Sequence, residues 1–143
     1  MRISRFSDYA VRVLMYTALR APARVTVEEV AETFGISHHH LTKVVHKLGR
    51  QGYLRTSRGV RGGFQLARPA GQIRLGEVIR SCESEASVVS CEDRGGRPCR
   101  LVPSCALKQA LDEAAGAFYE VLDRYTLADL TARGPIHQIL LPR

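Results

Sequence analysis

Residues 26–52 hold two helix starts and two helix stops with almost nothing between them. Thr26 precedes Val27, and Glu28 and Glu29 fill the first turn, where the helix dipole favours negative charge. Gly35 closes this segment near Phe34 as a C′ residue. Ile36 and Ser37 then lead straight into another helix, with Ser37 as its cap, Leu41, Val44, Val45 and Leu48 as its apolar stripe and Gly52 as its stop. Two short helices joined through a Gly-containing turn are a helix-turn-helix signature. The outward face of the second helix carries His38, His39, His40, Thr42, Lys43, His46, Lys47 and Arg50, which offer donors and positive charge and no carboxylate. Successive helical residues point about 100° apart, so three adjacent imidazoles cannot all face one ion. Solvent or DNA is the better match for that face.

The flanking segments extend the pattern. Residues 4–20 read as a preceding helix capped by Ser4, with Phe6, Ala10 and Val13 or Leu14 at helical spacing, and Pro22 ends it. Asp8 and Arg12, four apart, form an ion pair on one face. Tyr53–Thr56 and Gly63–Leu66 read as two strands joined by S-R-G-V-R-G, a hairpin with Gly59 and Gly62 for the turn and Arg58 and Arg61 near its tip. Arginine on a narrow β-tip enters a minor groove or clasps phosphates. Together these elements make a winged helix-turn-helix, with Ser37, His38, His39, His40, Thr42, Lys43, Arg58, Gly59 and Arg61 as its DNA-binding residues.

Charge divides the chain in the same way. Residues 1–75 carry thirteen Lys and Arg against four Asp and Glu, a balance of +9, while residues 76–143 carry eight against ten, a balance of −2. A basic front half suits a polyanion, double-stranded DNA above all. Asp8, Arg12 and Arg20 interrupt the apolar run near the N-terminus, so it is too polar for a signal core. No stretch approaches the ~18 apolar residues of a membrane span. The expected location is the cytoplasm, where thiols more often bind metals or sense redox state than form structural disulfides.

The back half is organised around Cys91, Cys99 and Cys105, in the run C-E-D-R-G-G-R-P-C-R-L-V-P-S-C. Gly95, Gly96, Pro98 and Pro103 exclude a regular element through its middle, so it is a loop. Three thiols on one loop fit zinc, copper(I) or an iron–sulfur cluster; a disulfide and inert thiols are the alternatives, and the spacing is not the C-x2-C of common zinc modules. Before it, Leu75–Ser81 reads as a short helix leading to a fourth thiol, Cys82. After it, residues 106–125 form a long amphipathic helix whose stripe is Leu107, Ala110 or Leu111, Ala114, Phe118, Val121 or Leu122, and Tyr125. That stripe is longer than a small winged domain covers, so packing against a second copy is expected. Thr126–Leu130 starts a last turn.

Several separate motifs carry a resemblance that covers nearly the whole chain. They are R-F-S-D-Y-A-V-R at 5–12, S-H-H-H-L-T-K-V-V-H-K-L at 37–48, R-G-V-R-G-G-F at 58–64, L-G-E-V-I-R at 75–80, the three-cysteine loop and L-D-R-Y-T-L-A-D-L at 122–130. In this combination the sequence resembles the iron–sulfur winged-helix regulators, and within them the nitric-oxide-sensing repressors. The resemblance implies a homodimer that holds a cluster, 4Fe–4S or alternatively 2Fe–2S, and stays on operator DNA until nitric oxide attacks it. It also implies Cys91, Cys99 and Cys105 as ligands. As the fourth ligand the resemblance implies Asp8 of the partner subunit, on the first helix, since the positions after Cys105, where the IscR type has a His, are Ala106, Leu107 and Lys108; Cys82 is the competing candidate. Arg12 and Glu85 are expected to form the shell around Asp8.

The expected organisation is a mostly α chain with a small β wing: residues 1–80 for DNA, 81–105 for the cluster loop, 106–130 for the dimerisation helix and final turn, and 131–143 as a tail. A redox- or iron-sensing or zinc-stabilised regulator is the competing reading. Enzymatic function is disfavoured, because no nucleophile–base–acid constellation accompanies the cysteines.

Overall fold

The computed structural model describes residues 2–57, 59, 62–83, 91–92, 96–132 and 140, with the Pro103 side chain left out. Arg58, Arg61, Glu85 and most of the 131–143 tail lie outside the described residues.

The first helix, α1 (Arg5–Arg20), is the beam on which the rest is laid. Ser4 caps it by accepting the Ser7 N–H, and Ala10, Val13 and Leu14 are fully or almost fully buried along one side. Helices α2 (Val27–Phe34) and α3 (His38–Arg50) follow, and α3 packs on α1. A two-stranded antiparallel wing, β1 (Leu54–Ser57) and β2 (Gly63–Leu66), pairs Leu54 with Leu66 and Ser57 with Gly63. The first strand begins one residue later than Tyr53, whose N–H is taken by Leu48 O at the end of α3.

Val25 ties the wing to the body by exchanging two backbone hydrogen bonds with Phe64, at 2.9 and 2.8 Å. That closeness explains Gly63. Its φ is +142°, and a Cβ there would stand 2.7 Å from Val25 O, so any other residue would push the wing off its seat.

Beyond the wing, a 3-10 turn (Ala70–Gln72) leads into α4 (Leu75–Cys82), which also packs on α1. This helix runs one residue further than expected and includes Cys82. A second 3-10 turn (Val102–Ser104) precedes α5 (Ala106–Leu122), and α6 (Leu127–Ala132) returns to α1. The long helix stops at Leu122 rather than Tyr125, because the backbone beyond it is claimed elsewhere. Tyr125 O accepts the Leu75 N–H at 2.9 Å, and Leu127 donates to Ile73 O at 2.8 Å.

The α5 stripe differs from the expected one in composition. Phe118 and Leu122 are half-buried, and Ala115 is the buried residue of the helix among those described. The exposed apolar line is instead Leu107, Ala110, Ala114, Ala117 and Val121, with Leu107 65% and Val121 47% exposed. Its spacing of three and four residues is that of a coiled-coil seam. Among the described residues, no helix is long and apolar enough to cross a membrane.

Candidate nucleic-acid interface and cysteine site

The reading head is built from two well-made helix starts. Thr26 and Glu29 form a reciprocal capping box on α2, and Gly35, at φ +62°, turns the chain in the left-handed region. Ser37 then caps α3: its hydroxyl accepts the His40 N–H at 3.3 Å and lies 3.0 Å from His40 Nδ1. Leu41, Val44, Val45 and Leu48 are buried, which fixes the roll of α3 and leaves His38, His39, His40, Thr42, Lys43, His46, Lys47 and Arg50 exposed on its other side. Thr42 is partly committed, since its hydroxyl donates to His38 O at 2.9 Å. The His39 and His40 rings are 6.1 Å apart and tilted, an arrangement that converges on nothing. The wing tip is closed by a 2.7 Å hydrogen bond from Gly62 N to Gly59 O, with Gly59 at φ +105°.

Cys91, Cys99 and Cys105 are free thiols on one segment. Cys99 N donates to Cys91 O at 2.7 Å, and Glu92 pairs with Pro98, so the backbone folds back on itself and sets the first two cysteines side by side. Cys105 stands at the N-terminal end of α5. One turn into that helix, Lys108 forms an ion pair with Asp112. The hydrogen bond and charge of Asp112, with a smaller contribution from Cys91 and Cys105 in their thiolate form, hold the Lys108 ammonium above its ordinary pKa. Among the described residues, no three His, Cys, Asp or Glu side chains stand close enough to hold one ion. The three cysteines thus share a segment in the single chain without sharing a point. The donor set itself, soft thiols on a short backbone with a cation at its edge, suits an iron–sulfur cluster.

Asp8 sits in the first turn of α1. Both its oxygens are held by Arg12, at 3.1 Å from Nε and 3.0 Å from Nη2, and the Arg12 guanidinium lies 5.8 Å from the centre of the Phe34 ring. Cys82 faces the interior, packed against the hydrophobic core. Burial pushes its thiol pKa up.

A match to the Rrf2 family, described as iron-dependent transcriptional regulators, spans residues 3–133. The chain belongs to the Rrf2 family. It is 44% identical over 131 residues to the HTH-type transcriptional regulator NsrR of Geobacillus kaustophilus, covering 91% of this chain and 89% of that protein. Its fold is similar to that of oxidised Staphylococcus aureus CymR, with a TM-score of 0.73 and 28% identity over 94% of this chain and 98% of that one. It is similar to T. potens IscR at the same TM-score, with 25% identity over 92% and 87% of the two chains. This Rrf2 chain is accordingly a transcriptional regulator and not an enzyme, with a winged helix for DNA.

Two features of the Rrf2 chain had no signal in its sequence. Glu83, the last described residue before the 84–90 segment, accepts the Ser4 N–H at 2.9 Å and the Ser7 hydroxyl at 2.5 Å. Beside it, Ser81 and Gln51 exchange hydrogen bonds of 2.8 and 3.3 Å, which tie α4 to the C-cap of α3. The residues leading to the cysteine segment are therefore fastened to both the first helix and the recognition helix.

Proposed function

We propose that this chain is a nitric-oxide-sensing repressor whose operator binding depends on an iron–sulfur cluster held by Cys91, Cys99 and Cys105, with Asp8 of the partner subunit as the fourth ligand. The observation that carries this reading is the set of three free thiols on one folded-back segment in a chain 44% identical to NsrR. The cluster would supply iron sites open to a diatomic ligand, most of all where a hard carboxylate replaces a thiolate. The protein supplies the rest. Two copies joined along Leu107, Ala110, Ala114, Ala117 and Val121 would bring the first helix of one subunit to the cysteine segment of the other. The three alanines in that seam favour close approach of the two helix backbones.

Cys82 is a poor fourth ligand, because a half-buried thiol packed against the core, with a raised pKa, resists becoming the thiolate a metal needs. Asp8 is half-exposed and is held by Arg12, which would compete with iron for the carboxylate and receive it on release. A shift of α1 on release would pass directly to α3, which packs on it. Two recognition helices that must meet successive major-groove faces would then lose their spacing. Glu85 belongs to the same reading as a neighbour of Asp8, and Arg58 and Arg61 as wing contacts to DNA.

Anaerobic purification followed by absorption spectroscopy, iron and sulfide analysis and a nitric oxide titration tests this. A brown protein whose visible bands and DNA affinity fall together is the expected result. A colourless, zinc-loaded protein would end the proposal.

A further inference from the structure

The face of α1 that lies against the helix-turn-helix can be followed by its ring contacts. Tyr16 meets Phe34 edge-on at 6.2 Å, the Arg12 guanidinium lies 5.8 Å from the centre of the same ring, and Tyr9 sits 6.4 Å from His40. Positions 16, 12 and 9 thus run from the end of α2 down to the first turn of α3. Their spacing of four and three residues keeps them on one helix face. The next position on that face is Arg5, about 6 Å further along the axis. Helical side chains lean towards the N-terminus, so Arg5 projects beyond Tyr9 and past the His40 turn. Arg2 precedes the helix in the same direction. Both arginines are exposed, and neither has an ion-pair partner among the described residues. Asp8, the nearest carboxylate on α1, is taken by Arg12.

The N-terminal turn of a recognition helix is the end that enters the major groove, with the DNA backbone on either side of it. We infer that Arg5, assisted by Arg2, binds the phosphate backbone beside the groove that α3 enters, extending the DNA interface from the recognition helix onto the start of α1. This rests on the winged helix being the DNA-binding element. The contact is to phosphate and carries no sequence information, so it fixes the angle at which α3 enters rather than the bases it reads. It also places a DNA contact on the same helix as Asp8, within one turn of it.

Because a phosphate contact is independent of sequence, a fluorescent duplex of arbitrary sequence is a sufficient probe. Binding would be followed by anisotropy across a salt series for the full chain and for Arg5→Ala, Arg5→Lys, Arg2→Ala and Lys43→Ala, with circular dichroism to check folding. Arg5→Ala is expected to lower the log–log salt slope by about one per bound subunit. Between 50 and 200 mM salt this variant would lose roughly three- to fourfold less affinity per subunit than the unchanged chain. Arg5→Lys keeps the charge and should keep most of the slope. An unchanged slope in Arg5→Ala, alongside a reduced one in Lys43→Ala, would overturn the inference and leave the recognition helix in place. All chains would be purified anaerobically with the cluster in place, and failure of the unchanged chain in that state to bind any duplex at low salt would instead overturn the DNA reading, and the Arg5 contact with it.

Discussion

The Glu83 carboxylate oxygen that accepts the Ser7 hydroxyl at 2.5 Å is the same atom that accepts the Ser4 backbone N–H at 2.9 Å. Burial alone would raise its pKa. The hydrogen bonds from Ser7 and Ser4 outweigh that and hold it below the ordinary glutamate value. A depressed carboxylate stabilises the fold above its unfolded pKa and stops doing so as pH falls through the folded one. Ser7→Ala removes one charge-assisted bond at a fully buried position and should cost about 1–2 kcal/mol. Urea melts between pH 6 and 3 would check the sign: the unchanged chain should lose more stability on acidification than Ser7→Ala does.

Gly76 offers a second test of packing. A Cβ at this position would meet the Asp123 carboxylate and come 3.0 Å from Tyr119 O, which is backbone and cannot swing away. Gly76→Ala should therefore lower stability by about 1–3 kcal/mol despite its better helix propensity. A thermal melt equal to or above that of the unchanged chain would contradict the tight α4–α5 contact.

The α5 seam predicts the assembly. Ala114→Glu puts a charge in the middle of the exposed apolar line and should convert a dimer into a monomer without unfolding it. Sedimentation velocity read alongside circular dichroism distinguishes the two effects. A dimer that survives this change would place the subunit contact elsewhere.

On α3, exposed residues should divide by what they touch. Lys43→Ala should weaken all duplexes alike and flatten the salt dependence, whereas His39→Ala should relax preference at particular base pairs by about 1–3 kcal/mol. Competition binding with a randomised duplex pool would show which residue does which.

For the cysteine segment, Cys99→Ala should remove visible absorption while leaving the far-ultraviolet helical signal. Cys82→Ala should retain the absorption and lose about 1 kcal/mol from the core instead. If Cys82→Ala bleaches the protein, the fourth ligand is that thiol and not Asp8.

The reading head was legible because its determinants are local. Thr26 with Glu29, Gly35 and Ser37 with the Leu41–Leu48 stripe all act within a few residues, and each does in the fold what its chemistry requires. The end of α5 was not legible. Its periodicity runs on to Tyr125, but Leu75 and Ile73, distant in sequence, take the backbone that would have continued the helix. A cue for the next start was present in Thr126 and Asp129, which bond each other's backbone N–H at 3.3 and 2.8 Å as a capping pair. The stripe on α5 was mixed for a similar reason. Phe118 and Leu122 continue the apolar spacing of the exposed line, and which part of that wide stripe is covered depends on what packs against α5 from elsewhere in the chain. Glu83 meeting Ser7 depends on contacts across the whole winged domain, and no spacing records it.

Asp123 anchors the C-terminal end of α5 to α4. Its carboxylate is gripped by Arg80 at 2.5 Å, its carbonyl by Arg74 at 3.3 Å, and Gly76 lets α4 press against it. All of this lies at one end of α5, while Cys105 sits at the other, about 25 Å away along the helix. A rotation of about 5° at the gripped end carries the cysteine end through about 2 Å, a distance comparable to a metal–ligand bond. With that end of α5 held against α4, a small adjustment of α4 would become a larger one at Cys105.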